Sequence, residues 1–275
     1  MKLYRILILA CFAATMISSC GEDTESRDDV PPQKPIIVSR SADVNYPQAG
    51  VRAEPTTSDD NYWTRIEWYR NPEDDLSGYR VKRWSEQTVA SEGPIVADLA
   101  MNVDLNDQFI LSWVDRGEDQ FGDPANLLAP NDQGLTRGYW WQVQAYDTAG
   151  NRSEWSDSVY FRMIYNPYNL SVEGIGDDVQ LLWNYPIGGS GTYLSFYKIR
   201  VYSQWYGVDS LIWDYDVQRY EASNALTVGA GGAFTPMTDD CTYVWQLNAV
   251  SYVATEANDV ALAGSAMYTT FTYQE

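Results

Sequence analysis

The chain has 275 residues, with 18 Lys and Arg against 38 Asp and Glu, three cysteines and no histidine, and its formal net charge is -20. The lack of histidine excludes Ser-His-Asp and Cys-His catalysis and disfavours zinc, haem and non-haem iron sites. The acidity disfavours binding to nucleic acid through a basic patch. We therefore expect no nucleic-acid partner, no metal site and no cofactor.

The amino terminus has the form of an export signal. A basic front precedes an apolar run over residues 6–17, which is too short to span a bilayer as a helix. The run ends in Ile17-Ser18-Ser19-Cys20, which resembles the bacterial lipobox, and the resemblance implies diacylation of Cys20. We predict a lipoprotein signal peptide over residues 1–19 and a membrane anchor at Cys20. Gly21, standing where an aspartate would resemble an inner-membrane retention signal, favours the cell outer membrane.

An acidic segment follows the lipidation site. Residues 20–30 are too poor in apolar groups to fold, so we interpret them as a flexible tether. Removing residues 1–19 takes away two basic groups and no acidic ones, so the charge of the mature chain is 16 minus 38, or -22. Cys11 leaves with the signal and Cys20 carries lipid, so Cys241 has no partner for a disulfide. Its place two residues before Tyr243 predicts a buried, inert thiol.

A seven-residue pattern occurs twice, 104 residues apart. Tyr139-Trp140-Trp141-Gln142-Val143-Gln144-Ala145 returns as Tyr243-Val244-Trp245-Gln246-Leu247-Asn248-Ala249. Both copies alternate with period two, so Tyr, Trp, Val or Leu, and Ala share one face, which we predict to be core. The repeat predicts two copies of one β domain, over residues 31–163 and 164–275.

Strand patterns run through both predicted domains in the same order. In the first domain they cover residues 35–38, 64–68, 79–83, 109–114, the Tyr139 strand and 158–163, with a long loop over 116–134. In the second they cover residues 179–183, 197–200, 211–217, 225–228, the Tyr243 strand and 266–273. No helical period persists for three turns, so the sequence predicts an all-β protein.

Several features together resemble the fibronectin type III domain. They are a proline-led first strand, Trp68 on the second strand, Tyr79 on the third, and the segment from Ala145 to Ser153 after the Tyr139 strand. The resemblance implies two tandem fibronectin type III-like β-sandwiches. It also implies that Tyr139 and Tyr243 form tyrosine corners, in which the hydroxyl bonds upstream backbone. The loop over 116–134 and the lack of a Gly-Asn turn in the second domain depart from the family pattern.

The candidate ligand-binding residues lie on one outer face of the first domain. If Tyr79 and Tyr139 point inward, the neighbouring strands share an outer face that carries Arg80, Lys82, Trp84, Trp140, Gln142, Gln144 and Tyr146. Arg80, Trp84, Trp140, Gln142 and Tyr146 are the candidates for contact with a protein or a sugar, because aromatic and Arg side chains dominate binding surfaces. The preferred alternative is cross-strand pairing that stabilises the sheet without a ligand.

Two other patterns have structural and functional interpretations. Ser153-Glu154-Trp155-Ser156 resembles half of the Trp-Ser-x-Trp-Ser element of cytokine-receptor domains, and the preferred expectation is a structural cation-π contact of Trp155. Acidic clusters at residues 73–75, 115–123 and 239–240 lack calcium-binding spacing, so we interpret them as solvated turn carboxylates. Trp205, Tyr206 and Trp213 form either an exposed aromatic cluster or core.

These expectations describe a membrane-anchored, non-catalytic lipoprotein of the cell envelope. It would act as a binding or spacer module for protein partners, held to the membrane through Cys20. The alternative is a carbohydrate-binding component of a surface glycan-uptake or polymer-degrading system, suggested by the aromatic content of the outer face.

Overall fold

The computed structural model describes residues 28–38, 50–85, 93–101, 109–117, 128, 138–186, 194–205, 208–218, 223–231, 233–254 and 260–274. The predicted signal peptide, Cys20 and most of the predicted tether lie outside these residues. Within the described part of the chain, no helix is long and apolar enough to cross a membrane.

The first half of the chain forms a β-sandwich. Residues 28–38 run extended along the first sheet, where Ile37 forms a bridge with Trp68. The strands are β1 (Val51–Ala53), β2 (Thr64–Tyr69), β3 (Leu76–Ser85), β4 (Ile95–Ala100), β5 (Ile110–Asp115), β6 (Gly138–Asp147) and β7 (Val159–Met163).

The second half repeats the arrangement and contains a 3-10 turn over Gly176–Asp178. Its strands are β8 (Tyr168–Glu173), β9 (Gln180–Asn184), β10 (Phe196–Trp205), β11 (Val208–Val217), β12 (Ser223–Thr227), β13 (Thr242–Ala254) and β14 (Val260–Thr272). The predictions of an all-β protein and of two tandem sandwiches are confirmed.

Three sheets build the two sandwiches. Strands β1-β2-β5 form one layer of the first sandwich, and β8-β9-β12 form one layer of the second. The other layers are parts of a single eight-stranded sheet in the order β11-β10-β13-β14-β7-β6-β3-β4. The two halves of this sheet meet where β14 runs parallel to β7, with Ala263 paired to Arg162 and Gly264 to Met163.

Each sandwich has its own hydrophobic core. The core of the first is drawn from residues between Ile37 and Met163, and that of the second from residues between Ile164 and Tyr273. The repeated strand supplies the centre of both cores, as predicted, since all of its inward residues are buried. These residues are Tyr139, Trp141, Val143 and Ala145 on β6 and Tyr243, Trp245, Leu247 and Ala249 on β13.

Several details differ from the sequence-based expectations. Strands β1, β4 and β8 were not predicted. Strand β1 has only three residues, and strand β8 contains an irregularity with Asn169 at φ 53°. Most of the predicted loop over 116–134 lies outside the described residues, but Leu128 within it is buried in the first core. The prediction of a buried Cys241 is wrong, because this thiol is only half-buried where it packs against the second core.

The aromatic residues of the second sandwich resolve an alternative that the sequence left open. Trp213 is fully buried on β11 and belongs to the second core. The side chains of Trp205 and Tyr206 lie outside the described part of the structure. The tyrosine corner at Tyr243 is confirmed, because the Thr238 amide donates to the Tyr243 hydroxyl at 2.7 Å. The backbone just upstream of Tyr139 is outside the described residues.

Candidate functional site

The strand register brings the predicted outer-face residues together. Strands β3 and β6 pair so that Arg80 faces Gln144, Lys82 faces Gln142, and Trp84 faces Trp140. Tyr146 pairs with Gly78 on the same face. Because the intervening residues are core, all five candidates, Arg80, Trp84, Trp140, Gln142 and Tyr146, lie on the outer face of the eight-stranded sheet. Their role in binding stays a prediction.

The aromatic rings on this face stack on one another. Trp84 and Trp140 lie nearly parallel, with centroids 6.4 Å apart and planes 11° apart, and Tyr160 packs on Trp140 at 4.9 Å. The Lys82 ammonium lies 5.4 Å from the Trp84 ring and 4.3 Å from the Trp155 ring. We call this row, from Tyr160 through Trp140, Trp84 and Lys82 to Trp155, the aromatic ladder.

The side chains of the aromatic ladder contact one another and are at most partly exposed to solvent. Trp84 is only 8% exposed and Lys82 only 9%, whereas Trp140 and Trp155 are partly exposed. Burial lowers the pKa of Lys82, and contact with two indole rings compensates part of the lost hydration of its ammonium group. The predicted structural cation-π contact of Trp155 is confirmed, and its cation is Lys82.

The segment that carries Trp155 is held along β6 by serine hydroxyls. The Ser153 hydroxyl accepts from the Ala145 amide at 2.9 Å, and the Ser156 hydroxyl accepts from the Val143 amide at 2.9 Å. Both hydroxyls donate to backbone carbonyls one residue further on. Gln142 donates its side-chain amide to the Ser156 carbonyl at 2.7 Å. Gln142 therefore fixes this segment in addition to lying on the candidate surface.

Arg80 and Tyr146 converge on an aspartate of β4. Arg80 Nε donates to Asp98 Oδ2 at 3.2 Å, and the Tyr146 hydroxyl donates to Asp98 Oδ1 at 2.9 Å. Burial and the Asp98 carboxylate raise the pKa of Tyr146. Gly78 makes this geometry possible, because a Cβ there would overlap the Tyr146 ring and the Leu99 carbonyl oxygen. The two candidates are thus tied to the edge of the sheet.

The prediction that Asp115 is a solvated turn carboxylate is wrong, because Asp115 is 2% exposed and forms a buried ion pair in the first core. On β3, Arg83 lies between two outer-face residues, so its side chain points inward. It is only 4% exposed and lies against Asp115 of β5. Arg83 Nη1 donates to both carboxylate oxygens at 2.6 and 2.8 Å. Trp141 Nε1 and the Gly117 amide also donate to Asp115, each at 2.9 Å. The inward parity of Arg83 between Val81 and Ser85 was the available signal.

Three carboxylates converge at the end of the first sandwich where residues 28–38 begin. Oxygens of Asp28, Asp75 and Asp147 lie within 4.8 Å of one another. A hydrogen bond with Asp28 and the nearby negative charge raise the pKa of Asp75. Asp147 already accepts from the backbone and side-chain amides of Asn151 at 2.8 and 2.9 Å, and Asn151 also donates to the Asp28 carbonyl. The cluster thereby joins the amino-terminal segment to the turn after β6.

The matching face of the second sandwich is filled by ion pairs. Lys198 is 2% exposed and lies 2.7 Å from Asp214 and 3.1 Å from Asp216 on the neighbouring strand β11. Arg200 lies 3.7 Å from Asp214. Strand β10 also pairs with β13, so that Arg200 faces Gln246. Ion pairs therefore occupy the face of the second sandwich that corresponds to the aromatic ladder of the first.

Comparisons with known proteins show a structural likeness. No family model matches the chain, and no curated protein matches it. Among solved structures, the chain is similar to the crystal structure of the chicken CNTN1 FN1-FN3 domains, with 13% sequence identity and a TM-score of 0.32. The match covers 90% of this chain and 69% of that chain. A structural likeness of this degree carries no argument about this chain. Its fold is instead established by the strand pairing and the two hydrophobic cores.

Proposed function

We propose that this protein is a lipid-anchored, non-catalytic module of the cell envelope that acts as a rigid spacer and presents its surfaces to protein partners. The lipobox-like sequence before Cys20 and the acidic segment after it support an anchor in the outer membrane. The two fibronectin type III-like sandwiches support a spacer, because each is a self-contained packed unit. The lack of histidine in the sequence removes the commonest general base and metal ligand.

The observation that carries the spacer proposal is the shared eight-stranded sheet. Tandem domains joined only by a short linker move relative to each other unless their interface is large. Here backbone pairing of β7 with β14 crosses between the sandwiches. A second crossing lies close by, where the Tyr268 amide donates to the Thr56 carbonyl at 2.9 Å. Backbone hydrogen bonds of this kind fix the relative orientation of the two cores.

A buried side chain reinforces this junction. Asn166, directly after the first sandwich, is 3% exposed and donates its side-chain amide to the carbonyls of Asp59 and Asn61 at 3.0 and 2.8 Å. Tyr62 lies beside it, and burial raises the pKa of Tyr62 to about 12. A polar group buried at a junction is costly unless it keeps its partners, so these bonds favour one interdomain arrangement.

The geometry favours a spacer and protein-binding role over a carbohydrate-binding one. A sugar stacks on an open aromatic face, whereas the Trp84 ring is covered by Trp140 and Lys82. In the aromatic ladder, the partly exposed Trp140 and Trp155 offer the accessible aromatic surface. A protein partner that contacts these two rings together with Arg80 and Tyr146 fits this surface better than a sugar ring does.

Metabolic labelling with a fatty-acid probe tests the anchor. We expect the wild-type chain to be labelled and to fractionate with the outer membrane, and the Cys20→Ala variant to lose the label. Cys241→Ser is the matched control, because Cys241 is the other cysteine outside the predicted signal peptide and it should leave labelling unchanged. Equal labelling of wild type and Cys20→Ala would disprove the anchor.

A further inference from the structure

An apolar patch lies on the outer face of the sheet β1-β2-β5, the face away from the aromatic ladder. Its members sit side by side on neighbouring strands, because Tyr69 pairs with Ile110 and the Tyr69 amide donates to the Ile36 carbonyl at 2.9 Å. Phe109 packs against the Tyr69 ring with centroids 5.4 Å apart. We call Ile36, Tyr69, Phe109 and Ile110 the apolar patch.

The apolar side chains of the patch are largely exposed to solvent. Phe109 is 75% exposed, Ile36 66% and Ile110 44%, while Tyr69 is partly exposed between them. Single exposed apolar residues are ordinary, but a contiguous aromatic and aliphatic group on a sheet face marks a contact surface.

The charged side chains on the face that carries the patch form ion pairs. On the same face, Arg52 pairs with Glu67 at 2.8 Å and Arg65 pairs with Glu54 at 2.6 Å. Two arginines and two glutamates leave no net charge there, whereas the predicted mature chain carries 16 minus 38, or -22. This face therefore meets little electrostatic repulsion from a neutral or weakly acidic partner.

The patch lies at the end of the first sandwich where the amino-terminal segment begins. Asn71, two residues after Tyr69, donates to the Gln33 carbonyl, and Asn151 donates to the Asp28 carbonyl at the same end. The second sandwich is joined to the first beyond Met163, which lies at the opposite end of the strands of the eight-stranded sheet. Cys20 and Ile36 are sixteen positions apart, a span of up to about 50 Å when extended, so an anchor at Cys20 leaves the patch within reach of the bilayer.

We infer that the apolar patch rests on the lipid surface that holds the anchor, an inference that builds on the anchor in the proposed function. Phe, Ile and Tyr side chains partition into the headgroup region, and tethering raises their local concentration at the bilayer. Docking there orients the first sandwich with its amino-terminal end on the membrane and directs the second sandwich away from it. The net charge of the predicted mature chain, 16 minus 38 or -22, predicts a preference for zwitterionic over anionic lipid.

Hydroxyl-radical footprinting of the acylated mature protein tests this docking. The protein is bound to vesicles of phosphatidylcholine and phosphatidylethanolamine and compared with the unacylated chain from Gly21 in solution, which contains both cores. We expect oxidation of Phe109 and Tyr69 to fall about threefold or more on vesicles. Ile175 and Leu211, which are 68% and 50% exposed on the second sandwich, should be oxidised equally in both samples.

Two variants separate docking from other causes of protection. Acylated Ile36→Ser/Phe109→Ser protein should lose the protection of Tyr69, whereas Ile175→Ser/Leu211→Ser protein should keep it. Equal oxidation of Phe109 on vesicles and in solution would overturn the inference. So would protection in solution that rises with protein concentration, because the patch would then join two copies of this chain.

The anchor and the patch can fail separately. Intact mass shows whether acyl chains are present on Cys20, and their absence would refute the proposed anchor. If the acyl chains are present on Cys20 but Phe109 is oxidised equally on vesicles and in solution, the anchor stands and the patch inference fails.

Discussion

Replacing Asp115 with alanine should strongly destabilise the first sandwich. Asp115 is 2% exposed and accepts from Arg83, Trp141 and the Gly117 amide, so its removal leaves a buried guanidinium without its carboxylate partner and two donors without an acceptor. Breaking a buried ion pair by removing one partner costs about 3 to 5 kcal/mol. That loss is a large part of the about 5 to 15 kcal/mol that stabilises a typical domain.

Urea denaturation at pH 7 measures this cost. We expect Asp115→Ala to lower the midpoint of unfolding with little change in slope. Asp157→Ala is the matched control, because it removes a carboxylate paired with Lys34 but 92% exposed, and a surface pair of this kind contributes about 0 to 1 kcal/mol.

A double replacement distinguishes the ion pair from simple loss of packing. Arg83→Met combined with Asp115→Leu removes both charges and refills the volume, so it should recover part of the stability lost in Asp115→Ala. The recovery is partial because the Trp141 Nε1 and Gly117 amide donors would still lack their acceptor, each at a cost of about 1 to 3 kcal/mol. A cost below about 1 kcal/mol for Asp115→Ala would refute the reasoning, since it would mean that Arg83 is not held by this carboxylate.

Three further predictions concern titration, the Trp155 segment and the interdomain junction. Burial raises the pKa of Tyr185 far above its ordinary value of 10.0, so the contribution of this residue to the free energy of unfolding should be constant below about pH 10 and then fall by about 1.4 kcal/mol per pH unit as Tyr185 ionises in the unfolded chain. Urea denaturation of wild type and Tyr185→Phe at pH 8 and 11 should show a smaller alkaline loss in the variant, and an identical loss would contradict the assignment. Ser156→Ala leaves the Val143 amide without its side-chain acceptor and should cost about 1 to 3 kcal/mol in the same assay, whereas a cost no greater than that of Asp157→Ala would argue against the bond. Asn166→Ala removes two buried interdomain bonds and should lower the calorimetric midpoint by several degrees, with about 1 to 3 kcal/mol lost, while an unchanged midpoint would show that Asn166 does not couple the sandwiches.

The outer-face candidates show which features of the site a local sequence pattern can predict. The alternation of β3 and β6 placed Arg80, Trp84 and Trp140 on one face, and the register agrees. It did not show that Trp84 is nearly buried, because its cover comes from Trp140 across the strand pair and from Lys82 beneath the Trp155 ring. Exposure depends on what packs over a face, and period-two alternation carries no information on that.

The buried ion pair illustrates a second limit. Arg83 lies in an alternating strand pattern, and charged residues are rarely buried unless they are paired. Its partner Asp115 lies 32 residues away on another strand and in a stretch that reads as an acidic loop. Only the stacking of the two sheets brings the guanidinium and carboxylate together.

The sequence by itself determined the class of fold, the duplication and the identity of the core strand. Period-two alternation and a repeat at 104 residues are local signals, and the inward residues of β6 and β13 follow from them directly. Tertiary structure alone decided how the two sandwiches join, because parallel pairing of β7 with β14 links residues about 100 positions apart that share no local pattern. It also gathered Ile36, Tyr69, Phe109 and Ile110 into one patch, since contacts between strands distant in the chain depend on sheet order and register rather than on the residues of any one strand.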